Sequence, residues 1–279
     1  MKYEWGVLRT SVCLLLAGVL LTPAHARQPA YLSWTALEQY QAQSHSLTFT
    51  PSQEPQGYLL IWPEVDQAHR WLGVAHYWQQ QQWQVSLLLP EDKQSQFDAS
   101  DEHASAAQQA WQSQQLLRLN AAAPETSAGA EQAYQVALLQ GSAALWYQQG
   151  VDAGDIALPQ ALVLFDALPS TRAQQSMLAI SLARSPYPIL DIYSQPESPL
   201  AWHNQQQRHQ QLQRREKTGY AQMFIKEPTR LNKSLSGWLV RLGWLPLPRH
   251  APLYLQEQHS ESGISRPRHA TSAGPTAPP

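Results

Sequence analysis

The feature that most constrains this chain is an alternation in which apolar runs of five or six residues are each followed by a stretch with helical spacing. From residue 134 it reads strand 134–139, helix 142–149, strand 161–165, helix 170–183, strand 188–193, helix 199–216, strand 220–225 and helix 230–243. A continuous apolar run suits a strand buried on both faces, and helices between such strands provide parallel crossovers. The N-terminal half begins in the same way. A helix is expected around Ala36 to Gln43, a short strand at Leu47 to Thr50 and a buried strand at Tyr58 to Trp62. A helix over 68–81 and a strand from Trp83 to Leu89, stopped by Pro90, follow. A long helix then runs from about Ser100 to Asn120, and the Ala, Pro and Gly of Ala121 to Ala130 mark a loop. The expected fold class is α/β, a three-layer sandwich with a mainly parallel sheet.

Residues 1–26 carry a different signal. Lys2 and Arg9 precede a short apolar core, Ser11 to Leu21, and Ala24-His25-Ala26 has the small-x-small spacing of a cleavage site. That core is about half the length a membrane span needs, so cleavage before Arg27 and export to the periplasm are expected. No later apolar run is long enough to span a membrane. Cys13 is the only cysteine and lies in this segment, which leaves the mature chain no thiol for a disulfide, a metal or nucleophilic attack. Losing Lys2, Arg9 and Glu4 removes one net positive charge and turns −2 into −3, a balance that does not call for nucleic acid. One domain over 27–255 is expected, because periodic segments continue through most of that length. The polar, Pro- and Ser-rich tail 256–279 has no periodicity and is expected to be disordered.

Glutamine is in excess, at Gln79 to Gln82, Gln114-Gln115, Gln205 to Gln207 and Gln210-Gln211. These runs lie on periodic segments among tryptophans, so they read as solvated helix faces, and most tryptophans as core. The last helix places Leu231, Leu235, Trp238, Leu239, Leu242 and Leu245 on one stripe, expected to dock on the sheet.

The turn after strand 134–139 is Gln140-Gly141-Ser142-Ala143-Ala144, where an α/β-hydrolase carries its nucleophile. If Ser142 is the nucleophile, Gln140 falls where a tight turn wants a small residue. If the register moves by one, Gly141 takes the slot and the elbow has no nucleophile. In either register Ser142 is placed to cap the helix that follows, the reading preferred over a nucleophile. The loop after Trp62 would supply an oxyanion donor, but it reads Pro63-Glu64-Val65-Asp66: proline has no N–H, and two acids would face a developing anion. Asp166 and Glu197 follow strands at their C-terminal ends and are the candidate acids, while Asp191 lies within a strand and is expected to have a structural partner. The base should stand in Lys226 to Lys233, which contains no histidine. His203 and His209 lie earlier, and His250, His259 and His269 later. His69 and His76 are seven apart on a helix, about 10 Å, too far to share one ion. No metal or cofactor is expected.

The chain resembles the bacterial domain-of-unknown-function family 3530, exported relatives of the α/β-hydrolases. Four stretches carry the resemblance: Gly57 to Ile61 with the helix after it, Trp83 to Pro90, Leu138 to Ala144, and Pro188 to Tyr193. Gly237-Trp238-Leu239 and Gly243-Trp244-Leu245 close it. The resemblance implies an α/β-hydrolase-like fold and a Gly-His-Gly-x-Gly-like elbow. That elbow maps onto Leu139 to Ala143 and puts Gly141 in the nucleophile slot. Here Leu139 and Gln140 replace the first glycine and the histidine, a departure that argues against catalysis and leaves the fold intact. The expected function is binding or scaffolding in the cell envelope, with a small molecule or an envelope protein as partner. The ligand cleft would lie around Ser142, Glu64, Asp166 and Glu197. The alternative is a serine esterase or acyl hydrolase using Ser142.

Overall fold

Apolar runs that can satisfy their backbone only by lateral pairing form one sheet, seen here in a computed structural model that describes residues 46–65, 67–91, 94, 105–122, 133–169, 171–225 and 230–247. The expected signal segment, the helix at Ala36 to Gln43, the loop beyond Ala122 and the tail lie outside the described residues. Seven strands are described: β1 (Ser46–Phe49), β2 (Gly57–Trp62), β3 (Trp83–Leu88), β4 (Tyr134–Gln140), β5 (Ala161–Phe165), β6 (Ile189–Tyr193) and β7 (Tyr220–Phe224). They are ordered β1-β3-β2-β4-β5-β6-β7. Only β1 runs antiparallel to its neighbour, and every other pair is parallel. The chain steps outward from β2 to β3, then returns past β2 to lay down β4. The direction of winding therefore reverses between β2 and β4, which opens a crevice at their C-terminal ends. An antiparallel edge strand, one such reversal and a run of parallel strands make the fold α/β-hydrolase-like.

Side-chain alternation along the strands separates two cores. Leu162 and Leu164 of β5 share one cluster with Trp62 of β2, Trp111 of helix α2 (Ala106–Ala122), Trp146 of α3 (Ala143–Ala153) and Leu178 of α4 (Arg172–Arg184). Trp111 and Trp146 meet edge to face at 4.7 Å, a geometry that aligns the positive edge of one ring with the negative face of the other. On the opposite face, α1 (Ala68–Gln80) places Trp71 against Phe165 at 5.5 Å and Trp78 against Trp83 at 5.3 Å. The last helix, α6 (Leu231–Arg241), joins this side through Tyr77 and Ser236, whose oxygens lie 3.2 Å apart. Helix α5 (Pro199–Arg214) packs beside α4 and starts on a proline, which has no N–H to lose in a first turn. Gly154 ends α3 at a φ of 82°, a left-handed turn that glycine adopts without steric cost.

The expected alternation is present, with ends shifted by a few residues. Helix α2 extends to Ala122, two residues beyond its expected end, and β3 stops at Leu88. Leu231, Leu235, Trp238 and Leu239 are buried as expected, whereas Leu242 and Leu245 are only half-buried. Seven tryptophans are core, but Trp202 is 54 % exposed. The reading of glutamines as solvated holds for Gln80, Gln81, Gln114, Gln206 and Gln210, and fails for Gln115. Gln115 is buried because its amide oxygen accepts from Arg118 at 2.7 Å. Outside the runs, Gln140, Gln148 and Gln175 are also buried, each with a fixed partner. Among the described residues no helix is long and apolar enough to cross a membrane.

Candidate functional site

The crevice between β2 and β4 brings together the loop after β2 and the turn after β4. Gly141 carries the sharp turn: its φ is +59°, in the left-handed region, and its N–H donates to the Phe165 carbonyl at 3.1 Å. Ser142, at φ −67° and ψ −22°, already has helical geometry. Its hydroxyl accepts no N–H of α3, so it sits at the N-cap position without the expected capping bond. The strained position in the turn thus belongs to a residue with no side chain.

The space above Gly141 is filled from the neighbouring loop. A Cβ placed on Gly141 would fall 1.7 Å from Glu64 Oε1. The Glu64 carboxylate also accepts the backbone N–H of Ser142. In a serine hydrolase the side chain at the strained turn is the nucleophile, and the N–H of the next residue serves the oxyanion. Glu64 holds both places with one carboxylate. Burial pushes the Glu64 carboxyl above the usual range, the Ser142 N–H opposes that shift, and the nearby negative charge of Asp166 adds to it.

Gln140 explains how this loop is held. Its amide oxygen accepts from Trp71 Nε1 at 2.7 Å and from the Glu64 N–H at 3.3 Å. The objection that a glutamine would crowd a tight turn does not apply, because the side chain reaches towards α1. The bond also uses the Glu64 N–H, and Pro63 has none, so neither residue offers a free oxyanion donor. Sequence reasoning named Glu64 as unwanted charge. It missed that the carboxylate occupies the elbow, for which the signal was a glycine in the turn facing an acid on the adjacent loop.

Asp166 follows β5 with φ +47° and closes the next gap in the sheet. It accepts from the Ser194 N–H at 2.8 Å and the Ser194 hydroxyl at 2.5 Å, while its own N–H donates to Ile192. Its carboxylate therefore braces the ends of β5 and β6 and lies close enough to Glu64 to be felt electrostatically. Glu197 lies in the turn after β6, exposed, and makes no hydrogen bond or ion pair among the described residues. The geometry thus brings Glu64, Gly141, Ser142 and Asp166 together and leaves Glu197 outside.

No imidazole completes the set among the described residues: the Ser142 hydroxyl makes no hydrogen bond to a histidine. His203 and His209 are exposed on α5, and His209 pairs with Gln213. His76 packs on Phe49, and His69 lies seven residues before it on α1. His250, His259, His269 and Asp66 lie outside the described residues. Asp191 has the structural partner expected of it: Arg208 Nη1 donates to both its carboxylate oxygens at 2.7 Å.

Comparison with known proteins gives the chain a family without an activity. No curated protein matches it. Among solved structures it is similar to a Klebsiella pneumoniae protein described as a candidate dienelactone hydrolase. That likeness has 14 % identity and a TM-score of 0.45, and covers 71 % of this chain and 91 % of the other. It is also similar to MenH from S. aureus, at 8 % identity and a TM-score of 0.45, covering 70 % and 98 %. A family model described as "Protein of unknown function (DUF3530)" matches residues 87–245. Its span takes in β4, the Gly141 turn and α3 to α6, and the chain belongs to that family.

Proposed function

We propose that this protein is an exported, non-hydrolytic member of the α/β-hydrolase fold that acts by binding a small molecule or an envelope protein. One observation carries the reading: the Glu64 carboxylate occupies the volume a nucleophilic side chain would need and takes the N–H that an oxyanion would need. A nucleophile on Ser142 would start one residue too late, at the N-cap of α3, with neither an imidazole nor a vacant donor beside it among the described residues. Losing a single oxyanion donor costs on the order of a hundredfold in rate, and among the described residues no histidine base stands beside the turn.

The test is an intact mass spectrum of the protein recovered after export, with and without a fluorophosphonate serine probe. The expected spectrum starts at Arg27 and carries no adduct. A stoichiometric adduct on the folded protein that disappears in Ser142→Ala would replace this reading with a serine esterase using Ser142, with Asp166 or Glu197 as its acid. A chain retaining residues 1–26 would overturn the export.

A further inference from the structure

A second site lies at the other end of the sheet. A cavity of about 80 Å³ opens at the N-terminal ends of β2, β3 and β4, between the sheet and helices α2 and α3. Leu60, Ser86 and Ala137 form its floor, since the parallel register sets these three side by side on one face. Leu119, Tyr147 and Ile156 form its walls, and Gln84 and Gln135 stand where the strands begin. Along β4 this floor, at Ala137, lies about 13 Å before the Gly141 turn, at about 3.3 Å per residue. Among the described residues no charged side chain lines it.

Tyr147 distinguishes this cavity from a packing gap. The residue is 4 % exposed, yet its hydroxyl has no hydrogen-bond partner among the described residues. The hydroxyl is not sealed from solvent either, and the residue lines the cavity. Burial, with the Tyr187 hydroxyl nearby, keeps it protonated well above the usual tyrosine range, which leaves a hydrogen-bond donor waiting. Two of the other polar side chains in the lining are already engaged: Ser86 donates to the Ala122 carbonyl at 3.2 Å and Asn120 to the Asp155 carbonyl at 3.2 Å.

We infer that this cavity binds a small uncharged molecule with an apolar body of ring size and one oxygen that accepts a hydrogen bond from Tyr147. The apolar walls select the body, and a lining without charge among the described residues disfavours a carboxylate or an amine, whose desolvation none of those residues would offset. The size sets the class. A closed cavity of about 150 Å³ holds benzene, so an open one about half as large seats part of a ring and leaves the rest at the mouth. The inference does not depend on whether Ser142 is reactive, because the two sites share no residue.

A titration of the full chain with 4-fluorophenol, followed by fluorine NMR, tests it, with 4-fluorobenzoate as the charged control. Saturable binding of the phenol and none of the benzoate is expected. Tyr147→Phe should weaken binding about fivefold, the worth of one neutral hydrogen bond. It should leave the melting temperature unchanged or raised, because the lost hydroxyl has no protein partner. Ala137→Leu, which grows into the cavity from its floor, should abolish binding in a protein still shown to be folded. Ser142→Ala and Glu64→Ala, both in the distant β2–β4 crevice, should leave the affinity for the phenol unchanged. The inference is overturned by an absence of saturable binding, which would leave the cavity to water, or by binding indifferent to both Tyr147→Phe and Ala137→Leu. Binding that moves with Glu64→Ala would place the ligand in the β2–β4 crevice instead.

Discussion

Glu64 is coupled to Gly141 by sterics and to its buried surroundings by charge, and each coupling has its own signature. Alanine at Gly141 must adopt a left-handed φ, at a cost of about 1–2 kcal/mol, and its Cβ must also displace the Glu64 carboxylate. Removing the carboxylate by Glu64→Ala relieves only the second part. Urea denaturation of the two single variants and the double should therefore give an interaction energy of roughly 0.5–3 kcal/mol, with the double more stable than additivity allows. Additive values would mean that the carboxylate is not over the turn. The charge coupling is read through pH. A glutamate whose carboxyl is raised by burial holds its proton more tightly folded than unfolded. The stability it contributes is complete below the unfolded value of about 4.3 and is lost as pH rises through the folded one. Glu64→Gln keeps the shape and an oxygen for the Ser142 N–H but never ionises. The melting temperature of Glu64→Gln relative to the native protein should thus increase with pH above about 4.3. A difference independent of pH would put the carboxylate in open water. The sequence put Glu64 in the loop after β2 and a turn at Gln140 to Ala144, but left the elbow register open. Only the backbone angle at Gly141 separates a turn with a nucleophile from one without.

Helix α5 shows what a pattern reading loses when the buried stripe is polar. Its buried residues are Ala201, Asn204, Arg208 and Leu212, at helical spacings of three and four, yet glutamines at 205–207, 210, 211 and 213 surround them and the segment reads as solvated. Arg208 is the centre of that stripe. Besides its two bonds to Asp191 it donates to the Ala167 carbonyl, next to Asp166, and it lies 1 % exposed. Tyr193 and Tyr220 donate to Asp191 Oδ2 at 2.7 and 2.5 Å, which ties β6, β7 and α5 to the turn that aims Asp166. Asp191 could be flagged from its place in an apolar strand. Its partner could not be identified, because the pairing depends on which face of α5 docks. Arg208→Met should cost on the order of 3–5 kcal/mol in urea denaturation, since Asp191 would stay buried without its counter-charge. A loss under about 1 kcal/mol would mean that the tyrosine hydroxyls alone hold Asp191.

At the scale of the whole molecule, the parallel sheet was legible because a βα alternation has few other ways to bury its apolar runs. The strand order was not, since nothing local records that β4 returns past β2 while β3 lies outside it. That return creates the crevice, so the site's location depends on topology even though its residues are visible in sequence. The same topology makes the two cores interdependent. Trp62, Trp111 and Trp146 lie on one face of the sheet, Trp71, Trp78 and Trp83 on the other, and each face is built from alternate residues of the same strands. Neither core can lose its strands without exposing the other. Unfolding in urea should accordingly give coincident curves by tryptophan fluorescence, which samples both faces, and by far-ultraviolet circular dichroism, which samples the backbone. If the fluorescence change instead came first and left the dichroism intact, at least one helical layer would be separable from the sheet. The Glu64 plug, which is held through Trp71 and Gln140 on one layer and α3 on the other, would then be a contact between units that open independently.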